Sequence, residues 1–228
     1  AAGVATTQIF QLDKSYGADG LVVKPGINKI AELKGKTIAV SAPGTSPYFG
    51  VAWILRKNGL TMKDVKVLPL EPQPAANAIL SGNADVDAAM TYEPYLSGVR
   101  NAPDKGKIIA TTLDYPMVMD TFGCTTKFLA DNPKAAQALA DSYFQALEMI
   151  KADPAKAFAI MGADVKQSAE QFEASQKHLR WQDRSANQKF FAGEHAAFSK
   201  EAAEVLLEAG IIKQLPDMSK LADPRFVQ

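Results

Sequence analysis

An α/β fold is predicted for this 228-residue chain, and three features predict it. Between residues 35 and 112, short apolar runs alternate with helical patterns in the order β-α-β-α-β-α-β, the signature of a parallel sheet covered by helices. Gly59 and Gly82 stand directly behind two of those helical patterns, where a residue free to take positive φ stops a helix. Apolar residues make up 47% of the chain, enough at this length to bury a core without disulfide or metal staples.

The elements follow in order. Residues 6–12 read as a strand, and 13–20, with Gly17, Gly20, Asp19 and Ser15, read as turn chemistry. Leu21 to Val23 is a short apolar strand. Lys29 to Leu33 makes one helical turn before Gly35, and 37–41 is a strand. Residues 46–58 carry Phe49, Ala52, Trp53 and Leu55 at helical spacing. A strand over 65–70, a helix over 74–81 and a buried strand over 86–90 come next, with Asp85 and Asp87 alternating on it. Pro94 opens a helix, at a position where its missing N–H costs little, and 107–112 is a strand. Residues 113–128 read as extended.

After Pro133 the pattern is wholly helical. Residues 133–151 place Ala136, Leu139, Ala140, Tyr143, Phe144, Leu147 and Ile150 on one face. Helices over 154–161, 168–179 and 187–209 follow. Ser168 and Gln171 have capping-box spacing. Trp181, between Gln182 and Arg180, reads as a loop tryptophan over the core or as part of a polar-aromatic cluster at a ligand. The chain therefore divides into an α/β unit over 22–118 and a remainder made of 1–21 and 119–228. Segments near 15–24 and 113–125 cross between them as a two-strand hinge.

Charge narrows the function. Lys and Arg number 25 and Asp and Glu number 25, so no basic excess exists to neutralise a nucleic-acid backbone. No apolar run reaches 18 residues. The single Cys124 forms no internal disulfide, and His178 and His195 lie outside metal-ligand spacing. No cofactor and no metal are expected. Neither a Walker phosphate loop, nor a dinucleotide glycine fingerprint, nor a Gly-x-Ser-x-Gly elbow occurs.

The candidate site lies where a strand runs into a turn that opens a helix, at the carboxyl end of the strand, where open α/β sheets bind ligands. Gly44, Thr45 and Ser46 precede the helix over 46–58; their hydroxyls and amides serve either as an anion-binding floor or as an ordinary cap. Tyr48 lies in the first turn of that helix. Glu93, with Tyr92 beside it, follows a buried strand, and reads either as a first-turn acid favoured by the helix dipole or as an acceptor for an amine or amide. Ser15, Tyr16 and Asp19 sit at the expected hinge, or in a plain β-turn.

Several stretches together resemble the solute-binding proteins of ABC importers for nitrate, taurine and aliphatic sulfonates, a group that includes pyrimidine-precursor binders. They are Ser15-Tyr16-Gly17-Ala18-Asp19-Gly20, Leu33-Lys34-Gly35-Lys36 with Thr37 to Val40, Gly82-Asn83-Ala84-Asp85-Val86-Asp87, and Tyr92-Glu93-Pro94-Tyr95-Leu96. Asn132-Pro133 and Gly210-Ile211-Ile212 also fit. The resemblance implies a periplasmic-binding-protein type II fold of two lobes, with 22–118 as lobe two and the first lobe incomplete, since relatives carry a further βαβ stretch before the equivalent of Thr6. It implies a small polar organic anion or zwitterion, sulfonate- or taurine-like, held in an interlobe cleft without chemistry and delivered to an ABC transporter permease. Ser15, Tyr16, Asp19, Gly44, Thr45, Ser46, Tyr48, Tyr92 and Glu93 would line that cleft. The implied location is periplasmic, or extracytoplasmic on a lipid anchor, with membrane association only through the transporter. The alternative is binding or synthesis of a pyrimidine precursor by an enzyme on the same fold.

Overall fold

The computed structural model describes residues 4–228, so the first three residues of the expected 1–21 segment lie outside it. The chain forms two compact units. One holds residues up to Lys14, Met119–Glu201 and Pro216–Gln228; the other holds Ser15–Val118 and Ala202–Leu215. Residues 15–21, expected with the helical remainder, belong to the α/β unit, as does the stretch 202–215. The chain therefore passes between units at four points, and the expected two-strand crossing accounts for two of them.

In chain order, β1 (Thr6–Ser15) and β2 (Asp19–Val23) precede β3 (Thr37–Val40), α1 (Ser46–Lys57), β4 (Lys66–Pro69), α2 (Pro72–Leu80), β5 (Ala88–Tyr92), α3 (Tyr95–Arg100) and β6 (Lys107–Thr111). Five of these strands build the sheet of the α/β unit, in the order β4-β3-β5-β2-β6. β3 is parallel to both β4 and β5, whereas β2 is antiparallel to both β5 and β6. Four strands thus run the same way, as the alternation predicts, and β2 is inserted against them. All five residues of β2 are buried, as a central strand covered on both faces requires.

Two layers of helix cover this sheet. On one face, Ala75, Ala76 and Ile79 of α2 and Leu96 and Val99 of α3 pack on Val22, Ala39 and Ala89. Small side chains on both sides let helix and sheet approach closely. On the other face, Gly50 of α1 lies against Met90 of β5. The outer side of α1 receives the stretch 202–215, where Arg56 pairs with Glu204 at 3.0 Å and Glu208 at 3.7 Å. The expected strand over 86–90 starts two residues late. Asp87 lies just before β5, where its Oδ2 accepts from the Thr37 amide at 2.9 Å and its other oxygen pairs with Lys24. Asp85 and Asp87 therefore do not alternate on a strand.

In the second unit, β7 (Met119–Thr125), β1 and β8 (Leu179–Trp181) form a three-stranded sheet with β1 central. β1 and β7 are antiparallel from Thr6↔Thr125 to Lys14↔Met119. Phe10 stacks on Phe122 at 5.0 Å and on Tyr143 at 5.1 Å. Four helices follow: α4 (Thr126–Asp131), α5 (Pro133–Ala152), α6 (Pro154–Asp164) and α7 (Ala169–Gln176), with β8 after them. Residues 126–128, read as extended, are helical because Thr125 caps the Phe128 amide at 3.1 Å. α5 buries Ala136, Ala140, Phe144 and Leu147 as expected, while Leu139 is exposed. Ser168 and Gln171 form the capping box.

β8 goes unnoticed in the sequence, being three residues long. Where it stops, Asn187 continues the ladder. Its carboxamide accepts from the Gln11 amide at 2.6 Å and donates to the Gln11 carbonyl at 3.0 Å, as a strand residue would. The expected helix over 187–209 is α8 (Arg184–Lys189), a π-helical turn (Phe190–Glu194) and α9 (His195–Glu208), started early by Asp183, which caps the Ala186 amide at 2.9 Å.

Candidate functional site

The carboxyl ends of β3, β4, β5 and β6 and the start of β2 meet at one edge of the five-stranded sheet, because β2 runs antiparallel to the others. This edge gathers Ser41, Glu71, Tyr92, Thr112 and Asp19. In an open α/β sheet it is the edge at which ligands bind.

The turn from β3 into α1 supplies the anion-compatible part. Gly44 has φ +94°, which an L side chain adopts only with strain. That conformation lets the chain reverse into α1, which begins six residues after Val40. The Thr45 hydroxyl donates to the Ala42 carbonyl at 2.8 Å and accepts from the Tyr48 amide at 3.4 Å, so it serves as the helix cap. Pro47 has no amide hydrogen. The first turn therefore retains the Ser46 amide and the exposed Ser46 hydroxyl as donors toward an anion. Tyr48 is buried, so its ring belongs to the core of the unit.

The turn between β1 and β2 is stitched to the same edge. The Ser15 and Thr112 hydroxyls lie 2.7 Å apart, and Thr112 Oγ1 also accepts from the Gly17 amide at 2.8 Å. The Asp19 carbonyl accepts from the Thr112 amide at 3.1 Å, and the Ala18 carbonyl accepts from the Glu93 amide at 2.8 Å. Ser15 is buried by these bonds, Asp19 is buried beside Tyr92 in the ladder, and Tyr16 is exposed.

Tyr92 ends β5. Burial, together with the phenol of Tyr95 and the carboxylates of Glu71 and Asp19, raises its phenol above the ordinary range. Glu93 is placed differently from a ligand acceptor facing solvent. Its Oε2 accepts from the Ser97 amide at 3.0 Å and its Oε1 from Arg100 at 2.7 Å, with the side chain 8% exposed. It fastens the start of α3 after the cis Glu93–Pro94 bond.

The fold thus brings Gly44, Thr45, Ser46, Tyr92, Asp19 and Ser15 to one edge. It assigns the oxygens of Glu93 to α3 and the ring of Tyr48 to the core. Two side chains at the edge escape a sequence reading. Ser41 follows β3 directly, and its hydroxyl donates to Glu71 Oε2 at 3.3 Å; Glu71 lies two residues beyond β4 and just ahead of Pro72. Position after a strand end is the signal that finds both. In the other unit, Trp181 ends β8 and its indole Nε1 is buried. No cluster of His, Cys, Asp and Glu suited to a metal occurs among the described residues.

Residues 18–157, more than half of the chain, match the family described as NMT1/THI5 like. The chain belongs to this NMT1/THI5-like family. Among curated relatives, it is 24% identical over 164 residues to a Brucella abortus protein named as a binding protein, an alignment covering 71% of this chain and 50% of the relative. It is 38% identical over 99 residues to a Bacillus subtilis protein named as an aliphatic sulfonates-binding protein, covering 42% of this chain and 29% of that one. The chain thus spans half or less of the length of these relatives.

Solved structures of the same fold include the periplasmic aliphatic sulphonate binding protein SsuA from Escherichia coli. It has TM-score 0.75 and 19% identity over 98% of this chain and 71% of that one. A Candida albicans protein described as having the generic periplasmic binding protein fold has TM-score 0.66 at 13% identity, over 96% of this chain and 72% of that one. The desulfurization enzyme DszB is also similar, with TM-score 0.63 at 16% identity over 99% and 79%. The periplasmic-binding-protein fold expected from the sequence is the fold of this NMT1/THI5-like chain. No helix among the described residues is long and apolar enough to cross a membrane.

Proposed function

We propose that this chain is the ligand-recognising part of a solute-binding protein. Its ligand is a small polar organic anion or zwitterion, sulfonate- or taurine-like, which it delivers to an ABC transporter permease outside the cytoplasm, in the periplasm or from a lipid anchor. One observation carries this reading: the turn through Gly44 directs the Ser46 amide and hydroxyl to the strand-end edge of the α/β unit, where an anionic oxygen finds donors and a helix dipole. The names of the Bacillus and Escherichia proteins, both sulfonate-binding, support a sulfonate as that anion.

The lone thiol is a weak candidate for covalent chemistry. Burial pushes Cys124 up, so it is protonated at neutral pH and a poor nucleophile. The alternative is binding or synthesis of a pyrimidine precursor by an enzyme; the likeness to the desulfurization enzyme DszB supports its enzyme part alone.

Calorimetric titration and thermal melts of the 228-residue chain with ethanesulfonate, taurine, nitrate and an aminopyrimidine test the proposal. A ligand at a hundred times its Kd stabilises the folded state by about 2.7 kcal/mol. Saturable heat and a raised melting temperature are expected with the sulfonates. A response to the aminopyrimidine with none to either sulfonate would transfer the site to the alternative.

A further inference from the structure

One corner of the strand-end edge is chemically unlike the turn that faces an anion. Tyr92 is 38% exposed at the end of β5. Tyr95 opens α3 three residues later, and the two rings lie 6.0 Å apart at 43°. Glu71 follows β4, which β3 separates from β5; the carbonyl of the next residue, Pro72, accepts from the hydroxyl of Thr91 beside Tyr92 at 2.9 Å, and the hydroxyl of the buried Ser41 holds one Glu71 carboxylate oxygen at 3.3 Å. Leu70, adjacent in the chain to Glu71, packs on the same apolar cluster as Tyr95. Asp19 is the direct ladder partner of Tyr92. The Glu71 and Asp19 carboxylates both act electrostatically on the Tyr92 phenol.

An anion is repelled here twice, by the carboxylates and by the negative faces of the rings. A cation is attracted by both. We infer that Glu71, Tyr92 and Tyr95 form a subsite for the ammonium group, primary or quaternary, of an organic cation or zwitterion. Together with the proposed anion floor at Ser46, this makes the ligand an aminosulfonate rather than a plain alkanesulfonate. The aminosulfonate assignment rests on the proposed function; the cation subsite does not. The rings supply a face that needs no directed hydrogen bond, and Glu71 supplies the neutralising charge. An alkanesulfonate ends in a methyl group and gains from neither.

Glu71 occupies the cap position of α2 without a side-chain cap bond, so Glu71→Gln removes the charge and leaves the helix start intact. The test titrates the 228-residue chain and this variant with taurine and ethanesulfonate, ligands of equal carbon length. It also follows the ring signals of Tyr92 and Tyr95 by NMR during titration with choline chloride, which carries a cation and no sulfonate. The wild type is expected to prefer taurine by at least about tenfold, and Glu71→Gln to bring the two sulfonates within about twofold of each other, as loss of one charge-assisted contact implies. Choline is expected to shift both rings in the wild type and to shift them far less in Glu71→Gln.

Choline shifts that depend on Glu71, with neither sulfonate binding, would refute the sulfonate reading and uphold the subsite. Equal affinity for both sulfonates, a taurine preference untouched by Glu71→Gln, or rings unmoved by choline would overturn the subsite.

Discussion

Asn187→Ala isolates what holds the central strand β1 in its unit. The Asn187 side chain is wholly buried and makes four hydrogen-bond contacts, three of them shared between the two hydrogens of Nδ2. Two of them satisfy the amide and the carbonyl of Gln11, itself wholly buried. The other two go to the carbonyls of Gln182 and Asp183, at 2.9 and 3.1 Å. The Asp183 carbonyl keeps a second partner, the Asn187 amide at 2.9 Å, which alanine retains. The substitution therefore removes the Asn187 partner from the Gln11 amide, the Gln11 carbonyl and the Gln182 carbonyl, at about 1–3 kcal/mol for each group. The expected loss is about 4 kcal/mol, which lowers a urea midpoint by roughly 2 M for a slope of about 2 kcal/mol/M. Asn187→Asp is the control. A carboxylate still accepts from Gln11 but turns lone pairs on three carbonyl oxygens, so the folded state favours its protonated form. A folded-state pKa above the unfolded value means that the folded protein binds more protons. Asn187→Asp therefore recovers stability as pH falls toward about 4, the unfolded carboxylate range, and Asn187→Ala does not. Unfolding followed at two pH values, read at the near-ultraviolet aromatic signal, measures both. A loss below about 1 kcal/mol for Asn187→Ala, no more than an ordinary exposed hydrogen bond contributes, would refute the claim that this side chain replaces a strand.

Glu93→Gln is expected to weaken the start of α3 by about 1–2 kcal/mol, through the Ser97 and Arg100 bonds, while changing taurine affinity less than Glu71→Gln does; calorimetry on the two variants decides it. Gly44→Ala forces a Cβ onto φ +94° and should cost about 1–2 kcal/mol, with sulfonate affinity falling too if the turn positions the Ser46 donors. Gly162→Ala puts a Cβ 2.9 Å from the Gln167 carbonyl oxygen and 3.0 Å from that of Ser168; backbone cannot step aside as a side chain can, and a loss of about 1–3 kcal/mol in a urea series is expected. His195 is buried against Phe190 and Phe191, and burial lowers its pKa. Its contribution is present above the unfolded value of about 6.5 and is lost as pH falls; the difference in urea midpoint between pH 7.5 and pH 5 should shrink in His195→Gln.

The elements carried by periodicity or by a cap were legible: α1 behind Gly44-Thr45, α5 behind Pro133, and α7 behind Ser168 with Gln171. The direction of β2 was not, because Leu21-Val22-Val23 is a buried apolar run whichever way it points. β8 is too short for any period to show. The early start of the helix expected at 187 depends on Asp183, whose role as a cap follows from where β8 ends. At the strand-end edge, Gly44, Thr45 and Ser46 announced themselves by residue type. Ser41 and Glu71 did not, since a lone serine and a lone glutamate have many uses and only the order of β3 beside β4 brings them to 3.3 Å.

By itself the sequence determined the α/β alternation, the helix starts and stops, and the turn that reverses at Gly44, because each depends on residues within a few positions of one another. Only the tertiary structure decided which polar groups the fold itself uses. Pairing β2 against β5 set Asp19 beside Tyr92, and the first turns of α3 claimed the oxygens of Glu93. A carboxylate's role depends on which donors reach it first. For Glu93 those were the Ser97 amide and Arg100, both set in place by helix α3.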